Sequence, residues 1–278
     1  MQPKLIAFDL DRTLLLSSGE LSPENRAALA AAAERGALLV PASGRPFTAL
    51  PQGLFEIPGI EYAITGNGCA VNVFPGGERI ESAFLAPECT REILDICRGM
   101  NVFYECFVNG RGYTDAEYLS DPVRYGADRE IVGYLAHTRT PVEDMHAFIA
   151  ENIARLDALD IVTAPGTGME ALRRQLTESV EGVYITSSAH DLIEISDASC
   201  GKGSALRRLC ARLGIDRNDV AAFGDADNDA DMLRFAGTGI AVANASAMCR
   251  SAADMLTLSN YENGVAYALA ALYAGSEV

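Results

Sequence analysis

Two clusters of carboxylates in this chain have the residue types and spacing to do chemistry. Asp9 and Asp11 stand in FDLDRTL, and two residues apart on extended chain their side chains leave the same face. Asp225, Asp227, Asn228, Asp229 and Asp231 crowd the stretch GDADNDAD, and Ser43 in SGR offers a hydroxyl. Carboxylates packed this closely repel one another unless a cation holds them. All-oxygen ligation suits a hard ion, and Mg²⁺ takes few protein ligands, completed by water and substrate phosphate. The stretch from Asp225 argues against a calcium loop of the EF-hand kind, because it lacks the glycine at loop position six and the glutamate at position twelve. Any one acid could instead cap a helix or hold a turn, as Asp227 would for a helix starting at Asn228. Two separate clusters favour a site.

The elements that must position these residues are legible. Leu5-Ile6-Ala7-Phe8 is a short apolar run of the buried-parallel kind, and it delivers Asp9. Ser22-Pro23-Glu24 is a helix start, with its end at Gly36. Ala37–Ala42 is a second strand that delivers Ser43, and Glu61–Thr65 a third, followed by Gly66-Asn67-Gly68. Alternating strand and helix predict a parallel sheet, and open sheets of that kind bind ligands at the carboxyl ends of their strands.

After residue 69 the pattern changes. A hairpin is expected around Pro75-Gly76-Gly77, helices over Pro87–Met100, Pro141–Asn152 and Met169–Val180, and strands over Asn101–Val108, Ile131–Leu135, Ile153–Val162 and Glu181–Ser187. The opening pattern then returns. Asp191–Ile195 reads as a strand, Gly201–Leu213 as a helix, Val220–Phe223 as the strand that delivers Asp225, and Asn228–Ala236 as a helix. Strands at Ile240–Ala243 and Met255–Leu258 and a helix at Gly264–Ala274 close the chain. The expected organisation is one α/β domain from residues 1–82 and 189–278, with a second, α+β domain inserted at 83–188.

Composition limits what such a site can serve. The 278 residues are 49% hydrophobic and carry a formal net charge of −16, which repels phosphate backbones and argues against a nucleic-acid partner. No apolar run reaches the roughly 18–20 residues of a membrane span, and the first residues do not form a signal peptide, so a cytoplasmic protein is expected. Seven cysteines without a CxxC pair read as reduced and buried, and three histidines without metal spacing argue against zinc. Gly201-Lys202-Gly203-Ser204 lacks the spacing of a phosphate-binding P-loop. Only Lys4 and Lys202 are lysines; every other basic residue is arginine.

DLDRT at 9–13, SGR at 43–45, Lys202 and GDADND at 224–229, in that order, resemble the four motifs of the haloacid dehalogenase-like hydrolases. NG at 67–68, ANAS at 243–246 and NGVA at 263–266 extend the resemblance to the Cof-type branch, with its subclass IIB cap. The resemblance implies a Rossmann-like parallel-sheet core with an inserted α+β cap. It implies that Asp9 is the nucleophile and forms an aspartyl phosphate, with Asp11 as general acid and then base. Ser43 and Lys202 would hold the phosphoryl oxygens, with Gly44 and Asn228 as further donors. Asp9, the backbone carbonyl of Asp11 and Asp225 would bind Mg²⁺, with Asp229 ligating directly or through water.

Arg45 suggests a contact to phosphate or to the nearby acids, and a structural ion pair is an equal reading. Arg12 stands where the family commonly has glycine, either as a side chain turned to solvent or as an extra cation near the substrate. In the inserted domain, Arg111, Arg124, Arg129 and Arg139 could meet an anionic leaving group or be solvated surface. Tyr104, Phe107, Tyr113 and Tyr125 could stack on a ring or fill a core. The expected activity is hydrolysis of a small phosphorylated metabolite, most simply a sugar phosphate. A phosphomutase and a non-catalytic metabolite-binding regulator are the alternatives, and the sequence leaves the oligomeric state open.

Overall fold

The computed structural model describes residues 2–274; residue 1 and residues 275–278, both assigned above to the core, lie outside the described residues. The chain forms two compact units. Among the described residues, the first comprises 2–45, 50–81 and 201–274, and the second 46–49 and 82–200.

In the first unit, β1 (Leu5–Phe8) leads to helix α1 (Pro23–Glu34) and β2 (Leu38–Pro41), then β3 (Tyr62–Thr65), β4 (Ala70–Val73) and β5 (Arg79–Ser82). The second unit contributes α2 (Pro87–Ile96), β6 (Val102–Val108), β7 (Arg111–Asp115), α3 (Ala116–Ser120) and α4 (Val132–Thr138). It continues through β8 (Arg139–Val142), α5 (Met145–Asn152), β9 (Leu156–Thr163), α6 (Met169–Ser179), β10 (Val183–Thr186) and β11 (Leu192–Asp197). The chain returns to the first unit as α7 (Lys202–Leu213), β12 (Val220–Gly224), α8 (Ala230–Phe235), β13 (Thr238–Ala241), α9 (Ala247–Ala252), β14 (Met255–Leu256) and α10 (Gly264–Ala274).

The first unit is built on a parallel sheet of order β14-β13-β12-β1-β2. All four residues of β1 are fully buried, as a strand covered on both faces must be. Leu5, Ala7, Val40, Val220 and Ala222 pack with Ala205, Leu206 and Leu209 of α7 and Met232 and Leu233 of α8. Burying each large side chain of this kind is worth about 1.5–3 kcal/mol. Helix α1 starts where Ser22 Oγ accepts the Asn25 amide and Pro23 supplies a preset φ. Asn25 Oδ1 in turn accepts the Ala266 amide of α10 at 3.0 Å.

Register is what builds the site. Phe8 lies opposite Phe223 on one side and Pro41 on the other, so β1, β12 and β2 end within one residue of each other. Asp9, one residue past this row, and Asp225 and Ser43, two past it, therefore emerge at the same carboxyl edge. The third expected strand, β3, keeps the parallel pattern on one side only. It pairs antiparallel with β4 and meets the β2 segment only through the parallel bridges Leu39↔Ile60 and Ala42↔Ile64.

The second unit is a six-stranded sheet of order β10-β11-β9-β6-β7-β8, antiparallel except for β7 with β8. Cys106, Leu159, Ile161, Ile193 and Ile195 on one face pack against Ile93, Ile149, Leu172 and Leu176 of its helices. Three expectations fail here. The strand at Asp191–Ile195 belongs to this sheet as β11, so the return to the first unit falls at Gly201, not at 189. Its alternation, with Ile193 and Ile195 on the apolar face and Glu194 and Ser196 between them, is that of a two-faced antiparallel strand. The expected strand Ile131–Leu135 is instead α4, since so short an apolar run does not distinguish strand from helix, and Leu135 packs with Phe103 and Tyr118. The helix expected from Pro141 starts at Met145, where Asp144 accepts the Ala147 amide; Arg139–Val142 is a strand. β7 was not anticipated.

Candidate active site

Asp9 follows β1, with its amide donating to Phe223 O at 3.0 Å, which extends the sheet pairing one residue beyond the strand. Asp225 follows β12. Ser43 follows β2, buried, with its amide donating to Ile64 O. Lys202 is the first residue of α7. Its side chain is fully buried, and Nζ donates to Asp9 Oδ1 at 2.7 Å and Asp229 Oδ1 at 2.6 Å. Asp9, Asp225 and Asp229 each offer a carboxylate oxygen, all within 4.8 Å of one another. Three buried carboxylates thus face one buried ammonium, an arrangement short of positive charge.

The electrostatics report that shortage. Burial drives Asp9 well above the ordinary carboxylate range, and Asp229, Asp225 and Asp11 add to the rise, while Lys202 opposes it. Asp225 is pushed up to about 7, chiefly by burial and then by Asp229; Thr13, Lys202 and Arg12 oppose the shift. Lys202 is held charged above its ordinary value, because Asp229 and Asp9 outweigh its own desolvation. A divalent cation would supply the missing charge, and an all-carboxylate donor set fits a hard ion such as Mg²⁺.

Asp229 serves chiefly as a brace. Its Oδ2 accepts the amides of Asp225 (2.9 Å) and Ala226 (3.0 Å), while Oδ1 is on Lys202. Asp11 is placed differently from the other acids. Its half-exposed carboxylate is gripped by Arg45, with Nε to Oδ2 at 2.7 Å and Nη2 to Oδ1 at 2.6 Å. Arg45 N–H also donates to Ser43 Oγ at 3.1 Å, which leaves the serine hydroxyl proton available to another acceptor. Gly44 lies in the same turn, half-buried. Asn228 is buried, donates from Nδ2 to Asn67 Oδ1 at 3.0 Å, and leaves its Oδ1 without a partner.

Arg12 has the left-handed backbone that its glycine-like position suggests, at φ 62°, and its side chain is exposed. Its carbonyl accepts from Asn244 Nδ2 at 2.8 Å. Four supporting residues had no role assigned from sequence. Thr13 Oγ1 donates to Asp225 Oδ1 at 3.0 Å, Asn67 holds Asn228, Asn244 holds the Arg12 turn, and Asp231 accepts the Gly203 amide at 2.9 Å. The signal for the first three lay in the motifs themselves, the threonine of DLDRT and the asparagines of NG and ANAS. Asp227 caps no helix; it accepts from Ser246 Oγ at 2.7 Å.

In the second unit, Arg139 is an internal ion pair. Its Nη2 lies 2.9 Å from Glu105 Oε2, with the guanidinium over the Phe107 ring. Arg111, Arg124 and Arg129 are exposed. Tyr104 fills the core beneath the helices, Tyr113 packs on Phe148 and Tyr125 on Phe103. All seven cysteines are free and buried. Among the described residues no helix is long and apolar enough to cross a membrane.

Comparison with known proteins agrees with this geometry. The profile of the haloacid dehalogenase-like hydrolases matches residues 6–269. Phosphatase YwpJ of Bacillus subtilis is 32% identical over 95% of this chain and 98% of its own length. The 5-amino-6-(5-phospho-D-ribitylamino)uracil phosphatase YwtE of the same organism is 31% identical over 98% of this chain and 99% of its own. A solved haloacid dehalogenase-like hydrolase from B. subtilis superposes with a TM-score of 0.80 at 30% identity, covering 96% of this chain and 99% of that one. A buried lysine-braced carboxylate cluster at the carboxyl edge of a parallel sheet, with these relatives over nearly its whole length, places the chain among the haloacid dehalogenase-like hydrolases, as a phosphatase of the Cof type.

Proposed function

We propose that this protein is a Mg²⁺-dependent phosphatase of a small phosphorylated metabolite and works through an aspartyl phosphate on Asp9. The observation that carries the reading is the buried Asp9–Lys202–Asp229 arrangement with Asp225 beside it. Asp9 attacks phosphorus as the bond to the leaving oxygen breaks, and Asp11 gives that oxygen its proton. Asp11 then takes a proton from the water that attacks the aspartyl phosphate, so that inorganic phosphate leaves and Asp9 is restored. Lys202 and Ser43 hold phosphoryl oxygens, with the Gly44 amide and Asn228 as further donors. Asp9, Asp225 and the Asp11 carbonyl would hold Mg²⁺, with Asp229 reaching it through water, since both its oxygens already accept from the protein. When bound, Mg²⁺ neutralises the cluster so that an anionic phosphate can approach.

A compact, soluble sugar phosphate is the simplest substrate, and the ribitylamino-uracil phosphate of one relative widens the class to phosphorylated polyols bearing a ring. A phosphate-release screen over sugar phosphates, nucleotides, flavin mononucleotide and pyridoxal phosphate, with and without Mg²⁺, tests this. Turnover must vanish in excess chelator, and Asp9→Asn must lose both turnover and the acid-trapped phosphoenzyme. Full activity in chelator, or in Asp9→Asn, overturns the mechanism. Isomerised sugar phosphate without released phosphate would make it a mutase.

A further inference from the structure

The Arg45–Asp11 pair joins a largely buried cation to a half-exposed acid. The Arg45 backbone is held at both ends: its N–H donates to Ser43 Oγ at 3.1 Å, and its carbonyl accepts the Gly66 amide at 3.0 Å. Its side chain is 12% exposed, whereas that of Asp11 is 51% exposed. Asp11 sits in the turn Leu10–Leu14, immediately before the left-handed Arg12. The guanidinium approaches side-on, so Nε and Nη2 each take one carboxylate oxygen. A fork of this kind fixes the plane and the position of a carboxylate, which a point charge cannot do.

From this geometry we propose that Arg45 is a positioning residue for proton transfer, acting through Asp11, and is not a phosphate ligand. This rests on the phosphatase reading of the site. Each Asp11 oxygen accepts one Arg45 N–H and keeps a second lone-pair site, so the guanidinium can hold the group while it carries a proton. As the proton passes to the leaving oxygen and the P–O bond breaks, the carboxylate that forms stays in place on both prongs. In the second step, water gives its proton to Asp11 as its oxygen bonds to phosphorus and the bond from phosphorus to Asp9 breaks, with Asp11 still held by the fork. Arg45 therefore matters in proportion to how much the leaving group needs a proton.

Kinetics of four Mg²⁺-saturated proteins test this: wild type, Arg45→Ala, Asp11→Asn and the double variant. Each is assayed on p-nitrophenyl phosphate, whose leaving group departs without a proton, and on the best alkyl phosphate from the screen above. With the alkyl phosphate, kcat of Arg45→Ala is expected to fall on the order of 10- to 100-fold, within the range general acid–base help supplies. The loss with p-nitrophenyl phosphate is expected to be at least about tenfold smaller, and Arg45→Ala in the Asp11→Asn background to cost less than about threefold more. Arg45→Lys should rescue little, since one ammonium cannot hold both oxygens. It also carries the comparison if melting shows Arg45→Ala to be unfolded. Equal losses on both substrates with a raised KM, or losses that persist in the Asp11→Asn background, overturn the proposal and make Arg45 a phosphate contact. A wild type that releases phosphate from neither substrate overturns the phosphatase reading, and this proposal with it.

Discussion

Lys202 and Asp9, 193 positions apart in the chain, meet at 2.7 Å, and the lysine side chain has no exposure at all. The same ammonium lies 2.6 Å from Asp229, so one compact donor serves two carboxylates in a closed space. Neighbouring Gly203 lets α7 pack closely on the backbone at the start of α8, because a Cβ there would lie 2.5 Å from the Asp231 carbonyl oxygen. A planar guanidinium is wider and fixed in its fork. Lys202→Arg is therefore expected to lose kcat/KM nearly as severely as Lys202→Ala, on the order of 10²–10³-fold. Lys202→Ala should also melt earlier, since removing one member of a buried ion pair typically costs about 3–5 kcal/mol. A Lys202→Arg enzyme within a few-fold of wild type would show that any cation suffices.

The carboxylate cluster makes stability depend on pH with a definite sign. Asp225, at about 7, and Asp9, also raised, hold protons in the folded chain that the unfolded chain, with carboxylates near 3.8, has already lost. The folded state thus binds more protons between those values, and stability falls as pH rises through them. Lys202 is raised from 10.5, so its contribution is fully present throughout this window and is lost only at higher pH. Metal-free protein is expected to show a falling Tm from about pH 4 to about pH 7, and Asp225→Asn a shallower slope. Mg²⁺, which competes with those protons, should raise Tm more at the upper end. An equal slope in Asp225→Asn would remove Asp225 as the source.

Gly224 tests the brace. A Cβ at this position would lie 2.4 Å from Asp229 Cβ and 2.9 Å from its Oδ2, the oxygen that accepts the Asp225 and Ala226 amides. Gly224→Ala must push Asp229 away from both amides and from Lys202. The expected result is a Mg²⁺ requirement shifted upward by about 10–100-fold, the usual scale for disturbing a residue that orients metal ligands. Titrating activity against Mg²⁺ measures it.

Arg12 pays a conformational cost that glycine would not. At φ 62° a non-glycine residue carries roughly 1–2 kcal/mol of strain, partly offset because glycine gains more freedom when unfolded. Arg12→Gly is expected to leave stability unchanged or raise it by up to about 1 kcal/mol, while Arg12→Val lowers it by about 1 kcal/mol or more. Denaturant melts of the two variants decide this. A marked loss of stability in Arg12→Gly would mean that the exposed guanidinium contributes more than its backbone costs.

What the sequence determined by itself was local. Short apolar runs ending in Asp9, Ser43 and Asp225 marked the strand ends, because a strand covered on both faces must be apolar throughout and the polar residue after it must face the edge. The order of motifs marked the family, and the gap between them the inserted block. Partnership was decided only by the tertiary structure. Arg45 could have faced phosphate or an acid, and the fork on Asp11 depends on how the turn after β2 lies beside the turn after β1. The strand at Leu192–Asp197 was legible as a strand but not as a member of the second sheet, because pairing is a long-range contact that a short segment with three apolar residues does not encode. Arg139 read as a contact for an anionic leaving group or as solvated surface, and it is neither, because β6 and β8 bring Glu105 to within 2.9 Å of it. Asp229 was expected to ligate metal directly or through water, and only the fold showed that it also accepts from Lys202 and two backbone amides. Spacing along the chain sets which residues leave an edge together; only packing sets which charge each of them meets there.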